Sequence, residues 1–257
     1  MTMTKLVIIH HLEEPNDLPA LERWFRQHHC PEVLSQVPWT VRYVMYRAVP
    51  PPPGAEAFGH YNYRVHENWV SNERRGVKGL LSFTPQPGKM SAIVVNVPAE
   101  PTEDFLGAGL RHNEKTILRW LIAFRYPDGV SEEEGEQWYL NVHAKEVCSQ
   151  PGLIRFFSHK AIPSVKPSPL PSSNAQKPFM TPSPLFSKTW HRVTELWYEN
   201  NNGWEASVLK HPPRYTRPDW ATHDGFPFLV PGEEFISTFI LEHPDQDMLR
   251  HHEHLMF

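Results

Sequence analysis

The segment "QHHCPEVLSQVP" at residues 27–38 returns 114 positions later as "NVHAKEVCSQPG" at residues 141–152. His29 falls on His143, Glu32 on Glu146, Val33 on Val147, Ser35 on Ser149 and Gln36 on Gln150. A repeat of this kind asks the chain to build two like units, so the neighbouring segments are compared in pairs. "KLVIIHHL" (5–12) reads as a buried strand, and "KTILRWLIAF" (115–124) takes its place in the second half. A helix follows each. Asn16 is expected to cap the first, with Leu18, Leu21, Trp24, Phe25 and His28 on one face. Ser131 and Glu134 form a capping-box pattern for the second, with Trp138, Tyr139 and Val142 facing inward.

The second strands, "TVRYVMYRAVP" (40–50) and "LIRFFSHKAIP" (153–163), alternate in the manner of strands and end at a proline. They align Arg42 with Arg155 and Tyr46 with His159. The third strands, "HYNYRVHEN" (60–68) and "RVTELWYEN" (192–200), align on their shared Glu-Asn ending, which sets Tyr63 against Glu195. Helical stretches, "SNERRGVKGLLSF" and "NGWEASVLK", come next. The fourth strands are "SAIVVNVP" and "EFISTFILE", and their exits "EPTEDFL" and "HPDQDML" also match. The order β-α-β-β-α-β, read twice, is the α+β ferredoxin-like unit, in which four strands bury one face under two helices. The expected organisation is one module over residues 1–110 and a second over 111–257. Their uncovered sheet faces would close on each other as an intramolecular dimeric α+β barrel. The mixed polarity of those inner faces favours a ligand pocket over a dry core.

The string "YPDGVSEEEGEQWYLNVHAKEVCSQPGLIRFF", followed later by "VTELWYEN", resembles the EthD-like branch of the dimeric α+β barrel superfamily. That pattern has a helix ending in His-Ala-Pro/Lys, a Pro-Gly-Leu turn into the second strand, and a Glu-Leu-Trp-Tyr/Phe run on the third. Residues 115–242 carry all of these, and residues 5–98 match more weakly, with Trp39 in place of the glycine. The resemblance implies a barrel fold and a functional histidine at position 143. It spans dehydratases, isomerases, cyclases, cofactor-free oxygenases and haem-binding relatives, so it does not choose a reaction.

A net charge of −4 argues against nucleic-acid binding, and the apolar runs are too short for a signal peptide or a membrane span. Two cysteines at non-equivalent positions, Cys30 and Cys148, suit a reducing cytoplasm. Sixteen histidines and nine tryptophans suit a ligand-sized cavity, and equally a plain core. One segment breaks the repeat. Residues 163–188 hold seven prolines and six serines, a linker composition, but Phe179, Met180, Leu185 and Phe186 offer anchors. The segment is expected to pack across a barrel mouth or against a second copy in a homodimer.

The catalytic candidates are His143 and His29, His159 and Tyr46 on the second strands, and Glu195 and Tyr63 on the third. A histidine, a carboxylate and a phenol in one cavity suffice for acid–base chemistry. His29 and His143 lie toward helix C-termini, where the dipole favours a protonated ring, and Glu32 or Glu146 could orient it. The bland reading of each is a histidine that caps terminal carbonyls. Arg42, Arg155, His11, Trp120 and Trp197 are the substrate-binding candidates. For the arginines the alternative is a solvent-facing strand position. No H-E-x-x-H, P-loop, G-x-G-x-x-G or G-x-S-x-G is present, so no metal or other cofactor is expected and the tail "HHEHLMF" reads as solvated. The expected function is a cofactor-independent lyase or isomerase acting on a small aromatic or polyketide-like carbonyl or enol. A cofactor-free oxygenase, a haem enzyme and a non-catalytic binding module are the alternatives.

Overall fold

The computed structural model describes residues 3–71, 82–107, 117–163, 185 and 188–249. The strands are β1 (Met3–Leu12), β2 (Thr40–Arg47), β3 (Arg64–Ser71), β4 (Met90–Pro98) and the short β5 (Glu103–Asp104) in the first half. In the second half they are β6 (Leu118–Phe124), β7 (Leu153–Lys160), β8 (Arg192–Tyr198), β9 (Phe235–Leu241) and the short β10 (Gln246–Asp247). Helix α1 runs through Leu18–Trp24, a π-turn Phe25–His29 and Cys30–Gln36. Helix α2 repeats this as Glu132–Trp138, a π-turn Tyr139–His143 and Ala144–Val147, and α3 joins Asn201–Glu205 to a π-turn Ala206–Lys210. The counterpart expected between β3 and β4, most of the proline-rich insertion and the histidine-rich tail lie outside the described residues.

The chain is an α+β protein with two antiparallel five-stranded sheets, ordered β10-β2-β3-β1-β4 and β5-β7-β8-β6-β9. Without the short edge strands, both halves show the same ferredoxin-like order. Strand alternation divides each sheet between two cores. Val7, Ile9, Val44, Val65, Ile93 and Val95 of the first sheet pack against Leu121, Ala123, Val193, Ile236 and Ile240 of the second. The opposite face of the first sheet packs Tyr43, Met45 and Met90 under Leu21, Trp24, Phe25 and Cys30 of α1. That of the second packs Trp120, Phe124, Phe156 and Phe239 under Trp138, Tyr139 and Trp204. The order is helix, sheet, sheet, helix. No helix among the described residues is long and apolar enough to cross a membrane.

Local details depart from the sequence reading. Asn16 does not cap α1; it lies in a short 3-10 turn, and α1 begins without a side-chain cap. Asp17 instead accepts from Lys89 N at 2.7 Å. Ser131 does cap α2, accepting from Glu134 N at 3.2 Å. The third strands align differently from expectation. Both begin at an arginine, as Arg64-Val-His-Glu67-Asn-Trp69 and Arg192-Val-Thr-Glu195-Leu-Trp197. Trp69 pairs with Lys5 and Arg42, as Trp197 pairs with Arg119 and Arg155. Glu67, not Tyr63, is therefore the counterpart of Glu195.

The short strands change places. β5, from the first half, extends the second sheet at β7, and β10, from the second half, extends the first sheet at β2. A buried arginine holds each arm. Arg192 is bidentate to Glu103 (2.5 and 3.2 Å) and to Glu136 of α2 (2.8 and 2.7 Å). Arg64 reaches Glu22 of α1 at 2.5 Å and Asp245 beside β10 at 3.4 Å. The Arg192 side chain is only 1% exposed, so its loss leaves Glu103 and Glu136 without the cation they share. Arg192→Leu is expected to destabilise the protein by about 3–5 kcal/mol, the range for breaking one side of a buried pair. A denaturant midpoint within error of the parent would show that the clasp carries no stability.

Candidate functional site

The two π-turns carry the same pattern, Trp24-Phe25-x-x-x-His29-x-x-Glu32 and Trp138-Tyr139-x-x-x-His143-x-x-Glu146. A π-turn adds one residue to the helical repeat, which brings i and i+5 onto one face. His29 thus stacks on Trp24 (centroids 4.9 Å, 21°) and His143 lies against Trp138 (4.7 Å, 35°). The same extra residue turns His28 outward and His29 and Cys30 inward, while Leu18, at the start of the helix, is also exposed. Single π-turns inside α-helices recur at functional sites.

Both glutamates are latched to a threonine from a distant segment. Glu146 accepts from Thr216 N (2.9 Å) and Thr216 Oγ1 (2.6 Å), while Trp138 Nε1 donates to Thr216 O (3.3 Å). In the first half Glu32 accepts from Thr84 N (2.8 Å) and from its hydroxyl, and Trp24 Nε1 donates to Thr84 O (2.9 Å). Each histidine therefore sits beneath a strap latched to its own helix at one threonine.

What lies under the two straps differs. His143 borders a cavity of about 20 Å³ lined among others by Phe124, Trp138, Phe156, Thr194, Phe226 and Leu229. Phe226 stacks on the imidazole (5.6 Å, 17°) and Tyr215 stacks on Phe226 (4.2 Å, 30°). Among the described residues, no charged side chain lines this cavity and His143 Nδ1 is buried without a hydrogen-bond partner. Burial lowers the His143 pKa to about 3, so desolvation outweighs the helix dipole and the ring is neutral. In the first half the strand positions equivalent to Phe124, Thr194 and Phe156 hold His10, His66 and Tyr43. His10 and His66 rings lie 4.6 Å apart, His29 and His66 6.2 Å apart, and Tyr43 Oη meets His66 Nδ1 at 3.1 Å. Burial lowers His29 to about 4 and holds His10 and His66 well below the ordinary range. Among the described residues, no group of histidine, cysteine or carboxylate side chains is arranged to hold a metal ion.

The expected meeting of histidine, carboxylate and phenol does occur, but between the sheets and away from His29 and His143. Arg119 Nη2 meets Glu195 Oε2 at 2.8 Å and Glu67 Oε1 at 3.6 Å. Lys5 Nζ lies 3.4 Å from Glu67, 3.7 Å from Glu195 and 3.3 Å from His159 Nε2. Burial alone would raise Glu195, but Arg119 and Lys5 outweigh it and hold the carboxyl down to about 2. Burial, then Lys5, lowers His159 to about 4. Tyr46 is pushed up to about 12 by burial and by Glu67, with Arg119 4.8 Å above its ring. Two cations answer two carboxylates here, so the cluster is internally neutral and suits cross-bracing of the sheets.

The remaining candidates scatter. Tyr63 lies on the helix side of the first sheet and donates to Glu22 at 3.1 Å. Trp120 is fully buried, stacked on Phe239 (5.7 Å, 3°) in the helix-side core, so it does not line the space between the sheets. His11 faces that space half-buried beside Tyr61 (5.1 Å). Arg42 lies over Trp69, half-exposed and 3.7 Å from Asp247, and Arg155 lies over Trp197. Trp197 Nε1 donates to Glu195 at 3.2 Å. Lys5, Glu67 and Arg119 were missed, although the repeated Arg-Val-x-Glu-x-Trp run marks Glu67. Phe226 and Thr216 lie in an irregular segment that no periodicity marks.

Comparison with solved structures finds an anthrone oxidase-like protein at 10% identity, covering 96% of this chain and 92% of that one, with a TM-score of 0.48. A monooxygenase candidate from Lactobacillus acidophilus NCFM matches at 10% identity, covering 96% of each chain, with a TM-score of 0.34. A chlorite dismutase candidate matches at 11% identity over 85% of this chain and 92% of that one, with a TM-score of 0.33. No curated protein gives a significant match. Residues 1–83 match a family model described as the chalcone isomerase N-terminal domain.

Proposed function

We propose that the chain is an acid–base enzyme that moves a proton on a small aromatic carbonyl or enol compound, with His143 as the base. The observation that carries this is a neutral, buried imidazole whose Nδ1 has no partner among the described residues, beside an aromatic cavity with no charged lining. A proton taken from the carbon next to a carbonyl leaves an enolate beside an imidazolium. In an apolar site these two charges stabilise each other far more than in water. The same imidazole then returns the proton to another atom, which is an isomerisation; loss of a leaving group from the enolate would make it a lyase. The family model over residues 1–83 is named for an isomerase, and that segment holds the first Trp-Phe-x-x-x-His-x-x-Glu turn. This supports the isomerase class of reaction and not the choice of His143, which lies outside that segment.

A second reading has one observation behind it. The apolar void beside His143 could admit dioxygen to a deprotonated phenol or enol, which would make the enzyme a cofactor-free oxygenase. Turnover of flat enolisable phenols in deuterium oxide separates the two. The proposal expects deuterium at the carbon next to the carbonyl and no oxygen uptake. Oxygen consumed in step with substrate would replace it by the second reading, and neither signal across such compounds would sink both.

A further inference from the structure

The cavity beside His143 is too small for what the proposal puts there. About 20 Å³ is room for roughly one water. An apolar cavity that takes a benzene ring measures about 150 Å³. A ligand must therefore displace a side chain, and the surroundings single out which. Trp138, Tyr139 and Phe156 belong to α2 and β7 and are buried, and Phe228 and Leu229 are buried too. Phe226 is half-buried and follows exposed Asp224 and Gly225 in a span with no helix or strand. The strap is fixed on one side at Thr216 and on the other by Phe228 and Leu229. Trp220 edge-on to Trp138 at 5.2 Å and buried Ala221 hold the strap as far as residue 221. Beyond it, up to Phe226, the ion pair is Arg217–Asp224 at 3.2 Å with Asp224 almost fully exposed, so that short stretch resists movement weakly.

We infer that Phe226 is a plug standing in for a ligand ring, and that the site takes an uncharged, flat aromatic compound bearing a hydroxyl or enol. The inference rests on the His143 cage being the working site. Phe226 already shows the pose, near-parallel to the imidazole at 17° and 5.6 Å, which is the offset arrangement aromatic pairs favour. The uncharged lining rejects an anion or a cation, because nothing there would replace its hydration. The buried Nδ1 of His143 is an unpartnered acceptor beside the cavity, and a hydroxyl on the incoming ring satisfies it. The first half cannot take such a ring in the same way, since His10, His66 and Tyr43 occupy the equivalent strand positions.

Calorimetric titration with 2-naphthol tests this. Phe226→Ala and the milder Phe226→Leu are each expected to bind it at least tenfold more tightly than the parent, and Phe226→Trp more weakly. Adding His143→Ala to Phe226→Leu should abolish the gain. Parent-like affinity in Phe226→Leu overturns the plug, as does a gain that survives loss of His143. If Phe226→Ala does not fold, the leucine variant decides. Tighter binding without any proton exchange supports the plug and counts against the acid–base reading. Exchange with unchanged affinity in Phe226→Leu overturns the plug and leaves that reading standing.

Discussion

Lowering the pH from 7 to 5 is expected to unfold the protein cooperatively, with a midpoint between about pH 5 and 6. Five histidines drive this: His10, His29, His66, His143 and His159 are all buried and all have pKa values lowered chiefly by desolvation. In the unfolded chain each titrates near 6.5, while in the fold His29 and His159 wait until about 4 and His143 until about 3. Below pH 6.5 the unfolded state binds protons that the native state refuses. The stability these groups confer is therefore complete above that pH and is lost as the pH falls toward the folded values. Each group costs about 1.4 kcal/mol per pH unit, so five together approach about 7 kcal/mol per unit. That rivals the whole stability of an ordinary domain, about 5–15 kcal/mol. Near-ultraviolet circular dichroism against pH reads the transition. A native spectrum retained at pH 4 would contradict it.

Replacing His143 by glutamine is expected to reduce turnover by about 10²–10⁴-fold, the span of a positioned general base, with little change in the fold. His29→Gln should stay within about tenfold of the parent. The two histidines share a helix turn, a tryptophan partner and a threonine latch, yet only His143 borders the aromatic cavity, whereas His29 faces His66. Equal losses would refute a single dominant site. The pH profile offers a second check. Because His143 stays deprotonated down to about pH 3, the acid limb of kcat/KM should follow unfolding and not a separate titration. An acid limb near pH 6.5 in protein still fully folded would show that the base is a different, better-solvated group.

The 114-residue repeat foretold the α+β class, the strand order within each half and the two equivalent histidines, because buried strands and amphipathic helices write their periods into sequence. It failed where length or period shifts locally. The third strands were aligned on a shared Glu-Asn ending that belongs to different places, and the loops between strands differ in length, so Glu67 was missed while Tyr63 was put forward. The π-turns were illegible at a 3.6-residue period, and the one added residue turned His28, expected on the inward face, out to solvent. Charge was misjudged for a physical reason: the dipole at a helix end is a modest term, and desolvation of a buried imidazole is a large one. Glu32 and Glu146 looked like partners of neighbouring histidines, but their partners Thr84 and Thr216 are 52 and 70 residues away along the chain.

The exchanged arms also set a timetable. Met45 and Val44 on the edge of the first sheet take their pairing partners from residues 246 and 247, so that edge stays open while the whole second half is being made. At about 5–20 residues per second, the interval between release of β4 and release of β10 from the ribosome is roughly 7–30 s. Over that period the nascent first half presents an unpaired strand edge, and Arg64 has Glu22 but not yet Asp245. Such an edge invites pairing with the wrong chain, so chaperones that bind the nascent chain should raise the yield of this protein, and slow translation past residue 98 should lower it, with little effect of either on its final stability.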